Sequence, residues 1–160
     1  LYLSFDGVLH PNSVSFDERQ RPRLRAAGHA LFENNELLQD VLASCPHTDV
    51  VLHSWWVPFI GFHAAREVLP HSVRRLVIGA TWHGLRGLRA RRKQSGSRRD
   101  WLKEDLVRRR PERPVLLDCD FMQVAPMLFD SSCIVDDWLG LACKGACERL
   151  LAMLSAGPAQ

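Results

Sequence analysis

No apolar run in this 160-residue chain approaches the roughly 18 residues that a membrane-crossing helix needs. No basic start followed by an apolar core and a small-residue cleavage site is visible, so the sequence carries no secretory signal and reads as cytoplasmic. Paired cysteine motifs are also missing. Cys45, Cys119, Cys133, Cys143 and Cys147 form an odd set with no Cys-x-x-Cys unit. Cys143 and Cys147, four apart, are expected on one face of a helix, but no His or Cys pair follows at zinc-site spacing. The cysteines therefore read as thiols in a reducing compartment, not as a disulfide framework. With 46% hydrophobic and 24% charged residues, the composition excludes a collagen-like chain, a disordered tail and a disulfide miniprotein. What remains is a single domain over residues 1–160, long enough to bury about two thirds of its unfolded surface.

Charge is present but uneven. Between Arg86 and Arg113 stand twelve basic residues against four acidic ones, a local +8 that leaves −5 on the rest of a chain whose net charge is +3. Such a segment attracts phosphate esters or nucleic acid, or else forms a solvated helix face and a basic loop.

Five short apolar runs, Leu1–Phe5, Asp49–Leu52, Leu76–Ile78, Val115–Leu117 and Cys133–Val135, read as buried parallel strands. Helical patterns separate them. Leu37, Leu38, Val41, Leu42 and Cys45 form a stripe that Pro46 ends. Phe59 to Leu69 is a second helix, closed by Pro70. Ser97 caps a third, with Trp101, Leu102 and Leu106 inward. Cys147, Leu150, Leu151 and Leu154 mark the last. Two stretches, Gly7 to Leu31 and Gly79 to Gly96, read as long loops. The alternation predicts an α/β fold with a five-stranded parallel sheet.

Ligands in such folds bind beyond the carboxyl ends of the strands. Those ends carry Ser4-Phe5-Asp6-Gly7, His53-Ser54, Gly79-Ala80-Thr81, Asp118-Cys119-Asp120 and Asp136-Asp137. Oxygen ligands of this kind suit Mg²⁺, held by Asp6 and Asp118 with Asp120 as a further candidate. The plainer alternative for any single aspartate is a turn or helix cap.

The segment Leu1-Tyr2-Leu3-Ser4-Phe5-Asp6-Gly7-Val8-Leu9-His10-Pro11 resembles the first motif of haloacid dehalogenase-like (HAD) phosphohydrolases, and its His-Pro is most like the branch found in RNA-repair proteins. Val50 to Trp56 resembles that branch's second motif. Val77-Ile78-Gly79-Ala80-Thr81 matches a further local pattern. Pro114 to Asp120 resembles the fourth motif, and Ile134 to Leu150 the closing strand, turn and helix. The resemblance implies a Rossmannoid three-layer sandwich and an Mg²⁺-dependent phosphatase acting on a phosphorylated substrate such as a nucleic-acid end. It assigns the nucleophile position to Ser4 and the acid/base to Asp6. Ser54 and Gly7 would hold phosphate, and the Asp6 carbonyl and Asp118 would hold the metal. Lys93, Arg98 and Arg99 compete for the third-motif cation, with Arg99 placed among the catalytic residues and Lys93 among the phosphate-binding ones.

The sequence departs from the family pattern where chemistry is most demanding. Serine stands at position 4 where the family has its aspartate nucleophile. His53, Trp55, Val57 and Cys119 replace a serine, a second serine, an arginine and an aspartate. A neutral hydroxyl with no base but Asp6 is a poor substitute for a carboxylate. Two functions follow: a phosphohydrolase with an altered nucleophile, or a silent module that binds phosphate or nucleic acid. A Ser4–His53 pairing across strands is a weaker alternative. Trp55, Trp56, Trp82 and His83 pack as core or lid, or stack a ring near the site. His10 binds phosphate or caps the loop after the first strand.

Overall fold

The computed structural model describes residues 1–83 and 96–156. The five expected strands are present as β1 (Tyr2–Leu3), β4 (Val50–Leu52), β5 (Val77–Ala80), β6 (Leu116–Asp118) and β7 (Ser132–Ile134). They form one parallel sheet in the order β5-β4-β1-β6-β7. Strand β1 lies at its centre and pairs with β4 and β6 on its two edges. Its backbone is therefore fully hydrogen-bonded, and Tyr2 and Leu3 are buried. Buried on both faces, these strands need apolar residues without alternation, which is the pattern the sequence shows.

The two faces are covered differently. One carries the larger core, in which Leu3, Phe5, Leu52, Trp56 and Leu117 meet α1 (Asn35–Ala43) and α6 (Ala146–Ser155). The other is a smaller core of Tyr2, Val51, Leu116, Val124, Ala125 and Leu128. It is closed by Leu102 and Leu106 of α5 (Arg98–Arg109). Ser97 caps α5 as expected: its hydroxyl accepts the Asp100 N–H, and the Asp100 carboxylate reaches back to the Ser97 N–H.

Three local expectations are corrected. Gly7 to Leu31 is not a simple loop: β2 (Val14–Phe16) and β3 (Pro22–Leu24) form an antiparallel hairpin in it. Phe16 stacks on Phe59 at 4.7 Å, which fastens the hairpin to the main body. The single helix expected over Phe59 to Leu69 is split into α2 (Trp56–Ile60) and α3 (Phe62–Glu67) by Gly61 at φ +87°. A short α4 (His71–Arg74) follows Pro70. Cys143 does not share a helix face with Cys147, because α6 begins only at Ala146. No helix among the described residues is long and apolar enough to cross a membrane.

Candidate functional site

Parallel topology brings the carboxyl ends of β1, β4 and β6 side by side. Ser4 follows β1, His53 and Ser54 follow β4, and Asp118 ends β6. Beyond Ser4 the chain turns sharply. Gly7 adopts φ +72°, and its N–H donates to the His10 carbonyl at 2.9 Å. A Cβ at Gly7 would stand 2.3 Å from Cys119 Sγ, so only glycine lets the β1 and β6 loops approach this closely. The N-terminus of α5 enters from the thinner face and delivers Arg98.

Arg98 organises the site. Its Nη1 donates to Asp118 Oδ2 at 2.7 Å, to the His53 carbonyl at 3.0 Å and to Ser4 Oγ at 3.1 Å. Its Nη2 donates to Asp118 Oδ1 at 3.2 Å, which makes the pair bidentate. Asp118 Oδ1 also accepts the N–H groups of Cys119 at 2.8 Å and Asp120 at 3.0 Å. Burial raises the Asp118 carboxyl above its ordinary value, while Arg98 and the two N–H groups pull it back. Asp118 is fully enclosed, and Arg98 nearly so. Arg98 Nε is buried with no acceptor among the described residues. That unused donor is worth noting, because a buried N–H without a partner costs about 1–3 kcal/mol.

Asp6 is held separately. Its Oδ1 accepts the Trp56 Nε1–H at 2.9 Å and meets His10 Nε2 at 3.0 Å. His10 Nδ1 accepts the Phe32 N–H at 3.3 Å, so the ring proton lies on Nε2 and points at Asp6. His10 thus orients the carboxylate. Ser4 Oγ has Arg98, a donor, as its side-chain partner, and no base within hydrogen-bond reach among the described residues. His53 does not pair with it: His53 Nδ1 meets Thr81 Oγ1 at 3.0 Å. Burial, and then the Arg98 charge, drives the His53 pKa well below its ordinary value, so the ring is neutral. Burial likewise pushes the Cys119 thiol up to about 12.

The space between these residues is a cavity of about 150 Å³ lined by Ser4, Asp6, Asn12, Trp55, Arg98, Cys119, Asp120 and Gln123. Several expected residues sit differently. Arg98, not Arg99, reaches Ser4 and Asp118. Arg99 makes no hydrogen bond to Ser4 or Asp118 and does not line the cavity; its backbone N–H is bound to Gln123 Oε1. Lys93 lies outside the described residues. Ser54 is buried, its hydroxyl accepting the Trp56 N–H, and it does not line the cavity. Gly7 has its N–H committed to His10, so it has none to offer a phosphate. Asp136 caps a turn through the Trp138 and Leu139 N–H groups. The sequence reading missed Asn12, Gln123 and the Trp56–His10 clamp on Asp6. Asn12 and His10 stand close to the first motif, but Gln123 lies three residues past a strand end and carries no signal of its own.

Residues 1–143 match the family described as the HAD domain in Swiss Army Knife RNA repair proteins. The chain belongs to this family. Neither the curated proteins nor the solved structures provide a match. The five-stranded parallel sheet of this HAD domain is the architecture that the resemblance implies.

HAD domains generally use Mg²⁺, and the donors present here can be tested against that requirement. Ser4 supplies no negative oxygen. Both oxygens of Asp118 already accept, and its carboxylate does not face the cavity. The Asp6 carbonyl has the Cys119 Sγ at 3.5 Å. Among the described residues no three His, Cys, Asp or Glu side chains converge into a metal-holding group. A hard cation with near-octahedral demands does not fit this set. The guanidinium of Arg98 provides the positive charge between Ser4 and Asp118.

Proposed function

We propose that this HAD domain binds a phosphate monoester at the end of a nucleic acid and does not hydrolyse it. One observation carries the reading: Arg98 bridges Ser4 and Asp118, so the nucleophile position is a hydroxyl tied to a cation, and the metal acid is already paired. Aspartyl-phosphate chemistry needs a carboxylate at position 4 and charge neutralisation by a bound metal. Ser4 offers the wrong oxygen, and no neighbour removes its proton.

Binding has independent support. The cavity lies at the carboxyl end of a parallel sheet, where such folds take ligands. Arg98 lines it, and the amino-terminal end of a 12-residue helix adds positive potential.

The test combines turnover and binding. With a generic aryl phosphate or a 5′- or 3′-phosphorylated oligoribonucleotide, phosphate release should not exceed that of Asp6→Asn, with or without Mg²⁺. In anisotropy titrations the phosphorylated oligonucleotides should bind more tightly than their hydroxyl-ended counterparts, and more weakly as salt rises. Mg²⁺-dependent release that Asp6→Asn abolishes would restore the phosphatase reading. Equal binding of phosphorylated and hydroxyl ends would remove the phosphate site.

A further inference from the structure

A cavity of about 150 Å³ is smaller than the roughly 300 Å³ at which pockets begin to enclose whole small molecules. It admits a phosphate group with little attached to it. The rest of a bound nucleotide must therefore lie across the rim. The aromatic side chain lining that rim is Trp55, which is 43% exposed although it is a large apolar ring.

Trp55 is also held in place. Its ring meets Trp101 edge to face, with centroids 4.8 Å apart and planes at 73°. Trp101 stands three residues after Arg98, on the same α5 helix. Its Nε1 edge packs against Gly96, where an added Cβ would come within 3.1 Å. One helix turn thus sets both the cation inside the cavity and the prop behind the exposed ring. A fixed aromatic face beside a phosphate-sized, arginine-bearing cavity is the arrangement that a nucleobase recognises by stacking.

We infer that Trp55 is the stacking platform for the base of a terminal nucleotide whose phosphate enters the cavity of Ser4, Asp6 and Arg98. The inference rests on the phosphate-binding reading above. It adds that recognition extends to the base, that the ligand is a nucleotide and not a sugar phosphate, and that stacking makes the preference tolerant of base identity. Trp101 acts as a positioning residue through Trp55.

The experiment measures calorimetric affinities of the intact protein for adenosine 5′-monophosphate, adenosine 3′-monophosphate and ribose 5-phosphate. One stacked base is worth about 5- to 150-fold in affinity, so at least one adenosine monophosphate should bind more tightly than ribose 5-phosphate by such a factor. In Trp55→Ala the ratio should fall to about 1. Trp55→Phe, which keeps an aromatic face, should retain most of it and guards against misreading a folding defect. A wild-type ratio near unity, or a ratio that Trp55→Ala leaves unchanged, overturns the stacking role while the phosphate site stands. Failure of all three ligands to bind the wild-type chain overturns the phosphate reading and the stacking inference together.

Discussion

Arg98→Ala isolates the cation on which the site depends. Asp118 has no exposed side-chain surface and Arg98 has 7%, so water cannot replace the lost partner without reorganisation. Removing one member of such a buried pair costs about 3–5 kcal/mol. Here the lower end applies, because Asp118 keeps the Cys119 and Asp120 N–H groups and burial already favours its protonated form. We expect a loss of about 3 kcal/mol, a large share of the roughly 5–15 kcal/mol that holds a domain together. Asp118→Asn should cost a similar amount, since it leaves the guanidinium facing an amide. Replacing both residues with apolar ones, Arg98→Met with Asp118→Leu, should recover much of the loss, because no charge is then stranded. Urea unfolding at pH 7 of the wild type, Arg98→Met, Asp118→Leu and their double variant gives the coupling energy, expected to exceed about 1.5 kcal/mol. A cost below about 1 kcal/mol for Arg98→Ala, or additive single and double losses, would show that the pair does not hold the site.

Gly7→Ala should destabilise the fold by more than the roughly 1 kcal/mol of an ordinary glycine-to-alanine strain, because its Cβ would also strike Cys119. Thermal melts of Gly7→Ala, alone and with Cys119→Gly, test this, and the second change should return part of the loss. Ser97→Ala removes a reciprocal helix cap and should cost about 1 kcal/mol in urea unfolding, with no change in the slope against denaturant. His53 gives a pH dependence. Its folded pKa is depressed, so only the unfolded chain takes up a proton below about pH 6.5. Its contribution is therefore complete above that pH and is lost as the pH falls, by up to about 1.4 kcal/mol per pH unit. His53→Asn should flatten the stability curve by that amount, and an unaltered slope refutes the assignment. Cys119, raised to about 12, should remain unalkylated by iodoacetamide at pH 8 in the folded protein and react once urea unfolds it.

Much of the scaffold was legible in the residues. Apolar runs without alternation announced the five strands, and Ser97 announced the start of α5. The hairpin of Val14–Phe16 and Pro22–Leu24 was hidden. Its strands are three residues long, contain proline and arginine, and are held by the contacts of Phe16 with Trp56 and Phe59, which no local pattern encodes. Gly61 was overlooked as a break because the apolar spacing continues across it. At the site, spacing selected Asp6 and Asp118 but did not choose among the basic residues before Trp101. That choice depends on which residue of the first helical turn faces the sheet, and the inward stripe of Leu102 and Leu106 assigns the place to Arg98. Ser54 and Gly7 were drawn from the family pattern, yet their polar groups are consumed by neighbouring backbone, a matter of three-dimensional closure.

The smaller core has a consequence for evolution as well as for stability. Helix α5 is the single long helix among the described residues on its face of the sheet, and its first residue supplies the guanidinium between Ser4 and Asp118. Any change that loosens Leu102 or Leu106 therefore disturbs the Arg98 bridge in the same act. Drift in this helix is restrained from two directions, by adhesion at its middle and by the Ser4–Arg98–Asp118 bridge at its tip. Placing an aspartate at position 4 would set a second carboxylate against Arg98, and so would retune the tip of α5 as well as one side chain.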